Sequence, residues 1–504
     1  MKFSVLLAAG SVALILAAPS AAGRIEGTAS PDLLLGTAHA DRIYARAGAD
    51  RIDVAGGRRD TVSCGSGRDI VAADPSDRLA RDCERITRRI STDPFTQAGP
   101  LHASEAEPDT FSRGAKIVAA FQVGRYRDGG AQAIGFAFSS DAGRTWRHGL
   151  LPRLTVGSRP RGEFPRASDP AVAYDQLHRI WLVATLAIGV SDSALLVSRS
   201  SDGGLHWSAP VTAARKPNGP NGIMFDKEWI VCDNGAASPF RGRCYLSYSD
   251  IENLRLSTQH STDGGATWSG PVGSPDGTGR GGIEDAFTAP GPQPLVLANG
   301  VVVVPLYDGG RLVAVRSTDG GASFSPAIMI ASSSFARSMG LRSGPLPSAE
   351  IGADGKIALV WPDCVARIGC NENDLVLSKS VDGVSWTSPA VIPLGPGNHV
   401  LPGLAADSSR PGRLALGYYI DSGRKLDVGF VSSANGGATW TRPMRLSPEA
   451  MPFSRIAQSG GAMVGDYIST SFANGRAVPV FTLAQPPLHG RLRQATYAGS
   501  IAVP

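Results

Sequence analysis

The sequence predicts an all-β protein built largely from repeats, and three observations lead to that prediction. The 504 residues include 61 glycines and 36 prolines, which favour frequent turns over long helices. Apolar runs are short and rich in β-branched residues, and none follows the period of an amphipathic helix. The stretch STDGGATW at residues 261–268 has five close copies along the chain. Because 42% of the residues are hydrophobic, the chain can bury a large core.

Residues 1–22 have the pattern of a secretory signal peptide. Lys2 precedes an apolar segment from Val5 to Ala18, and the small residues Ser20 and Ala22 follow at a spacing compatible with cleavage. The apolar segment is shorter than the roughly 18 residues that cross a membrane. We therefore expect a secreted, extracellular protein with no membrane span. A buried N-terminal helix is the alternative.

The cysteines point to the same compartment. An even number of cysteines in an exported chain indicates disulfides. The six cysteines allow 15 pairings, of which pairing between neighbours in the sequence is the simplest. No CxxC or HExxH spacing indicates zinc. The expected disulfides are Cys64–Cys83, Cys232–Cys244 and Cys364–Cys370.

Charge and missing motifs exclude several function classes. The net charge of +5 comes from interspersed positive and negative residues, and no basic block alternates with aromatic residues. Nucleic-acid binding is therefore not indicated. The chain also lacks a GxSxG elbow, a phosphate-binding P-loop and a dinucleotide fingerprint.

Residues 23–90 contain a short repeat. Five aspartates recur every nine or ten residues, and an apolar residue follows each of them two positions later. This rhythm, with glycines near the aspartates, resembles the haemolysin-type (RTX) calcium-binding repeats, in which stacked turns form a parallel β-roll. The resemblance implies that the aspartates bind Ca²⁺. These candidate metal ligands are Asp32, Asp41, Asp50, Asp60 and Asp69.

The same segment departs from the calcium-binding pattern. Few of the expected glycines are present, and arginines such as Arg42 and Arg51 directly follow the aspartates, where a cation opposes Ca²⁺ by charge repulsion. A metal-free roll closed by the Cys64–Cys83 disulfide is the alternative. Residues 91–104 are predicted to be a linker or a closing strand.

The larger repeat has a period suited to arrays or propellers. Five of its copies have an aspartate at the third position and one has an asparagine, with spacings of 61, 61, 56, 63 and 53 residues. Each copy follows a strand-like stretch, so each is expected to connect the two outer strands of a four-stranded unit. The third-position residues are Asp141, Asp202, Asp263, Asp319, Asp382 and Asn435.

These copies fit the Asp-box pattern S-x-D-x-G-x-T-W, and residues 105–504 resemble the sialidase (neuraminidase) superfamily of β-propellers. Six boxes alone fit six blades, but seven inner-strand openings can be counted in the sequence. The last unit has only three strands, and a segment before Glu105 could supply the fourth. We expect an all-β fold with seven blades, alternatively six, preceded by the small parallel β-roll.

Acidic residues recur where the inner strands open. A ring of carboxylates there could bind a cation, hold sugar hydroxyls or supply acid and base groups. Alternatively, each carboxylate caps its own turn or pairs with an arginine. These residues are Glu107, Asp169, Asp226, Glu228, Glu284, Asp285, Glu350 and Asp466.

The resemblance to sialidases implies specific roles. Tyr467 and Glu284 would form the nucleophile pair and Asp169 would be the acid, although Tyr467 could instead line the channel with its hydroxyl bonded. Arg166, Arg280 and Arg342 would hold a substrate carboxylate. The family's Arg-Ile-Pro signature is absent. Further candidates for substrate binding are Asp226, Glu228 and Asp466.

Two functions follow as hypotheses. The first is a secreted glycoside hydrolase resembling exo-α-sialidases, which acts on an extracellular glycan or glycoprotein. The second is a non-catalytic propeller that binds a glycan or a protein, with a calcium-stabilised N-terminal roll. We expect no cofactor other than Ca²⁺, and we expect the chain to be a monomer.

Overall fold

The computed structural model describes residues 13–16, 23–219, 222–280, 291–487 and 490–504. It is all-β: its only helices are two single 3₁₀ turns in the described ranges, Ile368–Cys370 and Phe453–Arg455. Within those ranges, no helix is long and apolar enough to cross a membrane. The chain divides into two compact units, Met1–Arg89 with Arg445–Ala450, and Ile90–Met444 with Met451–Pro504.

The first unit is a β-solenoid of stacked coils. Successive strands alternate between two sheets, and all pairings in both sheets are parallel. One sheet contains β1 (Ala13–Leu16), β3 (Asp32–Leu35), β5 (Arg51–Asp53), β7 (Ile70–Ala73) and β9 (Arg85–Arg89). The other contains β2 (Arg24–Glu26), β4 (Arg42–Tyr44), β6 (Thr61–Ser63) and β8 (Arg78–Leu79).

The short repeat of the sequence sets this stacking. The apolar residue of each repeat lies in the register position of its counterpart one coil away, as Leu34 lies beside Ile52 and Ile52 beside Val71. All three side chains are buried in the core between the two sheets. The predicted Cys64–Cys83 disulfide is present in this unit.

Among its described residues, the second unit consists of seven antiparallel sheets that follow one another along the chain, and a single residue pair, Ala131 with Ala167, joins the first sheet to the second. The first three are β10 (Ala106–Arg113), β11 (Lys116–Arg125), β12 (Ala131–Ser139) and β13 (Arg147–Leu150); β14 (Arg166–Asp175), β15 (Ile180–Ile188), β16 (Asp192–Ser200) and β17 (Val211–Pro217); and β18 (Phe225–Cys232), β19 (Cys244–Asp250), β20 (Arg255–Ser261) and β21 (Val272–Gly273).

The remaining four sheets repeat the same plan. They are β22 (Leu295–Val296), β23 (Val302–Tyr307), β24 (Arg311–Ser317) and β25 (Ile328–Ser332); β26 (Ser348–Ile351), β27 (Ile357–Asp363), β28 (Asp374–Ser380) and β29 (Ala390–Val391); β30 (Asn398–Ala406), β31 (Leu414–Asp421), β32 (Lys425–Ser433), β33 (Met444–Arg445) and β34 (Met451–Pro452); and β35 (Ser469–Ala473), β36 (Arg476–Ala484), β37 (Gln494–Gly499) and β38 (Ile501–Ala502).

The first strands of the seven sheets contact one another in circular order, and the first strand of the seventh sheet contacts that of the first. Hydrogen bonds from side chains to the neighbouring backbone join several of these strands. Carboxylate, amide or hydroxyl oxygens accept the backbone N–H of the next first strand at 2.7–3.2 Å. These bonds join Asp109 to Val172, Asp169 to Lys227, Gln293 to Ala349 and Ser348 to Leu404.

Two more contacts join the sixth first strand to the seventh and the seventh to the first, and the segment before Glu105 joins the last sheet. Thr470 donates its hydroxyl to the Gly403 carbonyl at 2.7 Å, and the hydroxyls of Thr110 and Ser469 lie 3.0 Å apart. The Ile90 N–H donates to the Thr496 carbonyl at 2.8 Å. The residues predicted to be a linker or closing strand therefore begin next to β37.

The six repeated turns follow the third strand of the first six sheets. In STDGGATW, Ser261 Oγ accepts the Gly265 N–H at 2.9 Å, and the Asp263 carboxylate accepts the Thr267 N–H at 3.0 Å and its hydroxyl at 2.6 Å. Gly265 has φ +80°, which glycine adopts without strain. Trp268 packs against the core shared by the second and third sheets. The turn therefore fixes the outer edge of a sheet.

The other two predicted disulfides also lie in this unit. Cys232–Cys244 connects the first two strands of the third sheet, and Cys364–Cys370 closes a short loop after β27. No free cysteine is present among the described residues. All three pairings expected from the spacing are therefore confirmed.

Replacing Asp263 tests the role of the repeated turn. We expect Asp263→Ala to lower the free energy of unfolding by about 1–2 kcal/mol, because the Ala266 and Thr267 N–H groups and the Thr267 hydroxyl lose their acceptor. Urea unfolding followed by tryptophan fluorescence measures the loss.

Asp263→Asn is the matched control, since asparagine already stands at this position in the sixth turn. There Asn435 Oδ1 accepts the Thr439 N–H at 2.8 Å. A smaller loss is expected for this variant. Equal losses in Asp263→Ala and Asp263→Asn would contradict the proposed role of the oxygen acceptor.

Candidate functional site

The site begins at bulges in the first strands. In β10, β14 and β18 the pairing register shifts near the start of the strand, and the residue within the shift is left-handed. Its φ is +52° for Glu107, +50° for Asp169 and +53° for Lys227. Residues other than glycine rarely adopt such φ angles, and a bulge changes the direction in which its side chain points. Because the first and third strands run in the same direction, these starts lie at the end opposite to the repeated turns.

The bulges bring together a buried group of ionisable side chains, which we name the mouth cluster. It contains five carboxyl groups, three cationic groups and one amide. They come from the first three sheets and from the segments that precede the first strands of the fifth and seventh sheets. Its members are Glu107, Gln122, Arg125, Asp169, Asp226, Lys227, Glu228, Arg342 and Asp466.

Asp466 is the anionic centre of the mouth cluster. Its two carboxylate oxygens accept from Arg342 Nε at 2.8 Å and Nη2 at 2.6 Å, and Lys227 Nζ also donates to it. Burial opposes ionisation of Asp466, but Arg342 and Lys227 hold its pKa well below the usual value. Burial likewise opposes the charge of Lys227, yet Asp169 and Asp466 keep its pKa well above the ordinary value.

Asp169 and Asp226 form a pair of neighbouring carboxyl groups, and both accept the Lys227 N–H, at 3.2 and 3.0 Å. Burial raises the pKa of Asp226 to about 7, with a further upward contribution from the Asp169 charge. Burial acts on Asp169 in the same direction, but Lys227 and the hydroxyl of Ser168, 2.8 Å away, lower its pKa overall. Asp169 is therefore the carboxylate of the pair and Asp226 is the acid.

Glu107 anchors the other side of the mouth cluster. The Gln122 amide donates to Glu107, and the Arg125 guanidinium donates to the Gln122 carbonyl oxygen. The Asp466 N–H donates to Glu107 Oε1 at 3.1 Å, which connects the first and seventh sheets. Burial, followed by the charges of Asp169 and Asp466, raises the pKa of Glu107 to about 8.

Tyr467 lies next to the mouth cluster with its phenol engaged. Its hydroxyl donates to the Pro170 carbonyl at 3.0 Å, and its ring packs edge-on against Trp229 with the centroids 5.0 Å apart. Burial and the nearby carboxylates raise its pKa well above the usual value. The cavity lined by Tyr467 and Trp229 measures about 10 Å³, which is room for one water molecule. The Tyr467 hydroxyl is thus bonded to the backbone, and both predicted roles of this residue, nucleophile and channel-lining aromatic, stay predictions.

The structure brings only part of the predicted site together. Asp169, Asp226, Glu228, Asp466 and Arg342 all join the mouth cluster, and Tyr467 lies next to it. Both carboxylate oxygens of Glu228 are buried without a hydrogen-bond partner among the described residues.

Three other predicted residues lie elsewhere or outside the described ranges. Arg166 bonds to Asp128 Oδ1 at 2.7 Å and lies over the Tyr126 ring. Arg280 is exposed, and Glu284 lies outside the described residues. The proposed nucleophile pair of Tyr467 and Glu284 therefore stays a prediction.

Three members of the mouth cluster, Lys227, Gln122 and Arg125, are not among the residues predicted from the sequence. Lys227 stands between two acidic residues in FDKEW, a pattern that resembles a solvated charge run. Gln122 and Arg125 interrupt the otherwise apolar strand KIVAAFQVGR, and both are buried. Polar residues within an apolar strand are a signal that could have indicated them.

The aspartates of the solenoid form two hydrogen-bond ladders. In one ladder, Asp50 Oδ1 accepts the Asp32 N–H at 2.8 Å and Asp69 Oδ1 accepts the Asp50 N–H at 2.7 Å. In the other, Asp60 Oδ1 accepts the Asp41 N–H at 2.6 Å. All five predicted metal ligands are buried.

The geometry of the ladders does not form a ready calcium cage. Calcium prefers six to eight oxygen ligands. One oxygen of Asp41, Asp50, Asp60 and Asp69 already accepts a backbone N–H from the adjacent coil, and one oxygen of Asp32 accepts the Thr28 N–H. Among the described residues, the only close group of three acidic, cysteine or histidine ligands is Cys64, Asp82 and Cys83. Both of those cysteines are in a disulfide. Calcium binding by the repeat therefore stays a prediction, tested below.

Comparisons with known proteins gave likenesses to solved structures alone. No family model matches the sequence, and no curated protein is significantly similar to it. Leech intramolecular trans-sialidase, complexed with 2,7-anhydro-Neu5Ac, is 15% identical, with 71% of this chain and 70% of that chain covered and a TM-score of 0.44.

Two further solved structures are similar to this chain, with comparable sequence identities and TM-scores. Trypanosoma rangeli sialidase in complex with sialic acid is 16% identical, covering 68% of this chain and 58% of its own, with a TM-score of 0.42. A polysaccharide lyase of family PL25, an ulvan lyase, is 10% identical, covering 81% of this chain and 96% of its own, with a TM-score of 0.47.

Removing the anionic centre of the mouth cluster should destabilise the protein strongly. Asp466→Asn leaves the buried charges of Arg342 and Lys227 without their shared carboxylate, at a cost of about 3–5 kcal/mol. Urea unfolding measures the effect. Asp354→Asn, which removes an exposed carboxylate paired with Lys356, should change the stability by less than about 0.5 kcal/mol. Equal effects of the two substitutions would refute the role of Asp466.

The solenoid ladders predict a pH-dependent stability. Burial raises the pKa of Asp60 to about 7. The folded form therefore binds more protons than the unfolded form between about pH 4 and 7, and stability falls as the pH rises across that range. Hydrogen exchange of the amides of residues 23–89 measures this change.

Two substitutions and added Ca²⁺ distinguish a ladder held by hydrogen bonds alone from a ladder that binds Ca²⁺. Asp60→Asn keeps an oxygen acceptor without the charge and should protect the amides at least as well as the wild type at pH 8. Asp82→Asn should weaken protection, because the pKa of Asp82 is lowered by N–H donors although burial opposes this. If Ca²⁺ stabilises the wild type at pH 8 but not Asp60→Asn, the ladders bind the metal after all.

Proposed function

We propose that this protein is a secreted, carbohydrate-active enzyme with a sialidase-type β-propeller, and that Asp226 is its acid/base group. Seven antiparallel sheets with their first strands in closed circular order support a propeller of seven blades. The apolar N-terminus and three disulfides support export. The substrate class follows from the chemistry of the mouth cluster.

The neighbouring carboxyl groups of Asp169 and Asp226, which share the Lys227 N–H, carry this proposal. Two carboxyl groups whose surroundings push their pKa values apart form an acid and a base. Lys227 and Ser168 keep Asp169 ionised, and the Asp169 charge in turn favours the proton on Asp226. A carboxyl that titrates near neutral pH is well matched to acid/base catalysis.

The exposed fractions of the side chains also favour Asp226 as the acid/base group. Its side chain is 23% exposed and that of Arg342 is 20% exposed, whereas the side chains of Lys227, Asp169 and Asp466 are at most 8% exposed. A substrate at the open end of the ring therefore meets Asp226 and Arg342 first. The other members hold these two side chains in place.

The charge of the mouth cluster favours an acidic substrate. Around neutral pH, Asp169 and Asp466 are ionised, while the pKa of Glu107, raised to about 8, keeps that group protonated, and burial raises the pKa of Glu228 well above its usual value. Three cationic side chains thus face two carboxylates, with Asp226 near its midpoint. The carboxylate of a sialic or uronic acid would supply a matching negative charge, and Arg342 can bind it through its guanidinium edge.

In the reaction, Asp226 would donate its proton to the glycosidic oxygen as the bond to the anomeric carbon breaks. Water then adds its hydroxyl at that carbon, and its remaining proton returns to the Asp226 carboxylate. This cycle leaves Asp226 protonated again and needs no other acid. The Tyr467–Glu284 nucleophile pair predicted from the sequence can be tested in the same assay.

A non-catalytic glycan-binding protein is the second candidate. The closed packing around Tyr467 favours it, because the adjoining cavity holds one water molecule rather than a sugar ring. In this case the mouth cluster would hold the ring together and would not react. Binding without turnover distinguishes this candidate from the enzyme.

A panel of fluorogenic glycosides, including a sialoside and uronides, tests the function. We expect Asp226→Asn to lower kcat by about 10²–10⁴-fold, since the proton donor is lost. The wild-type rate should fall as the pH rises through about 7, where Asp226 loses its proton. This limb of the pH profile should disappear in the variant.

Two comparisons complete the experiment. Asp354→Asn, at an exposed carboxylate, should retain full activity. Tyr467→Phe tests the nucleophile separately, and its loss of activity would support the sequence-based assignment. Activity of Asp226→Asn equal to the wild type would overturn the acid/base proposal, and glycan binding with no turnover of any substrate would favour the binding protein.

A further inference from the structure

A second cavity lies at the other end of the first strands. Its volume is about 470 Å³, within the range of small-molecule sites. Residues from the first strands of six sheets contribute to its wall, so it lies in the middle of the circle of strands. In β10, for example, Glu107 lies near the start of the strand at the mouth cluster, and Thr110 and Ser112, three and five residues later, line this cavity.

Most polar groups of the wall already have partners. The hydroxyls of Thr110 and Ser471 lie 2.7 Å apart, and Ser112 donates to the Phe472 carbonyl at 2.5 Å. Thr470 donates to the Gly403 carbonyl. These groups hold the strands together, so they contribute little free capacity to bind a ligand.

Glu350 is the exception. Among the described residues that line the cavity, it is the only ionisable side chain. None of the hydrogen bonds or ion pairs of the described residues involves its carboxylate. Burial, followed by the charge of Asp109 on β10, raises its pKa to about 8. Asp109 itself is held by the Val172 N–H at 2.7 Å.

We propose that this cavity binds a small primary ammonium compound with a short apolar stem, held by the Glu350 carboxylate. An ammonium group supplies the positive charge and the hydrogen-bond donors that Glu350 lacks. The residues that line the cavity also include Val231, Val296 and Ala405, which suit a hydrocarbon stem. A divalent metal fits poorly, because one carboxylate cannot replace six oxygen ligands.

The proposal does not depend on the glycan chemistry of the mouth cluster. Binding of the ammonium ion requires the ionised form of Glu350, so it should release a proton below about pH 8. Affinity should therefore rise with pH across that range. Asp226→Asn should leave the affinity unchanged.

Isothermal titration of the full chain with n-hexylamine tests the proposal, with 1-hexanol as the uncharged probe. We expect binding at least tenfold tighter at pH 8.5 than at pH 6, and we expect hexanol to bind at least tenfold more weakly than hexylamine at pH 8.5. Titration in two buffers with different ionisation heats should show the released proton.

Substitutions locate the site. Glu350→Gln should lose at least tenfold in hexylamine affinity and leave hexanol unaffected, while Glu252→Gln, at an exposed glutamate, should change neither. Ala406→Phe, which adds a ring to the cavity wall, should weaken both probes and serves if Glu350→Gln does not fold. Wild-type hexylamine affinity in both Glu350→Gln and Ala406→Phe, or equal affinity for hexanol, would overturn the proposal.

Discussion

The second unit depends on the bonds that join one first strand to the next. Each first strand is the edge of its sheet, so its backbone N–H groups would otherwise face the middle of the circle without partners. Side chains such as Asp109, Gln293 and Ser348 accept those N–H groups. Asp169 makes the same kind of bond to Lys227. Asp169 therefore both joins two first strands and belongs to the mouth cluster.

In both units, a carboxylate accepts a backbone N–H from the neighbouring coil or sheet. In the solenoid, Asp50 accepts the N–H of Asp32 one coil away, and in the second unit Asp109 accepts that of Val172 on the next sheet. Burial raises the pKa of both carboxyl groups. The aspartates that resemble metal ligands in the sequence therefore have a sufficient structural role without a metal.

Much of this organisation could be predicted from the sequence, because turns and strand starts depend on local patterns. Six of the seven inner-strand openings predicted from the sequence lie in the first strands of the sheets, and the seventh, at residues 284–291, lies mostly outside the described residues. The cysteine spacing predicted the three disulfides. The partners within the site could not be predicted. The bulge at Glu107 breaks the two-residue alternation of the strand, so the sequence pattern cannot say which side chain faces the centre. The pairing of Lys227 with Asp466 joins residues far apart in the chain.

The same backbone bulge occurs with side chains of different chemistry. In the sixth sheet, Leu401 has φ +53° within the same kind of register shift, and a proline follows it as one follows Glu107 and Asp169. The backbone thus presents an equivalent attachment point that holds an apolar residue instead of a charge. A protein built this way can acquire, exchange or lose ionisable groups around its centre by single substitutions, without redesign of the strands that carry them.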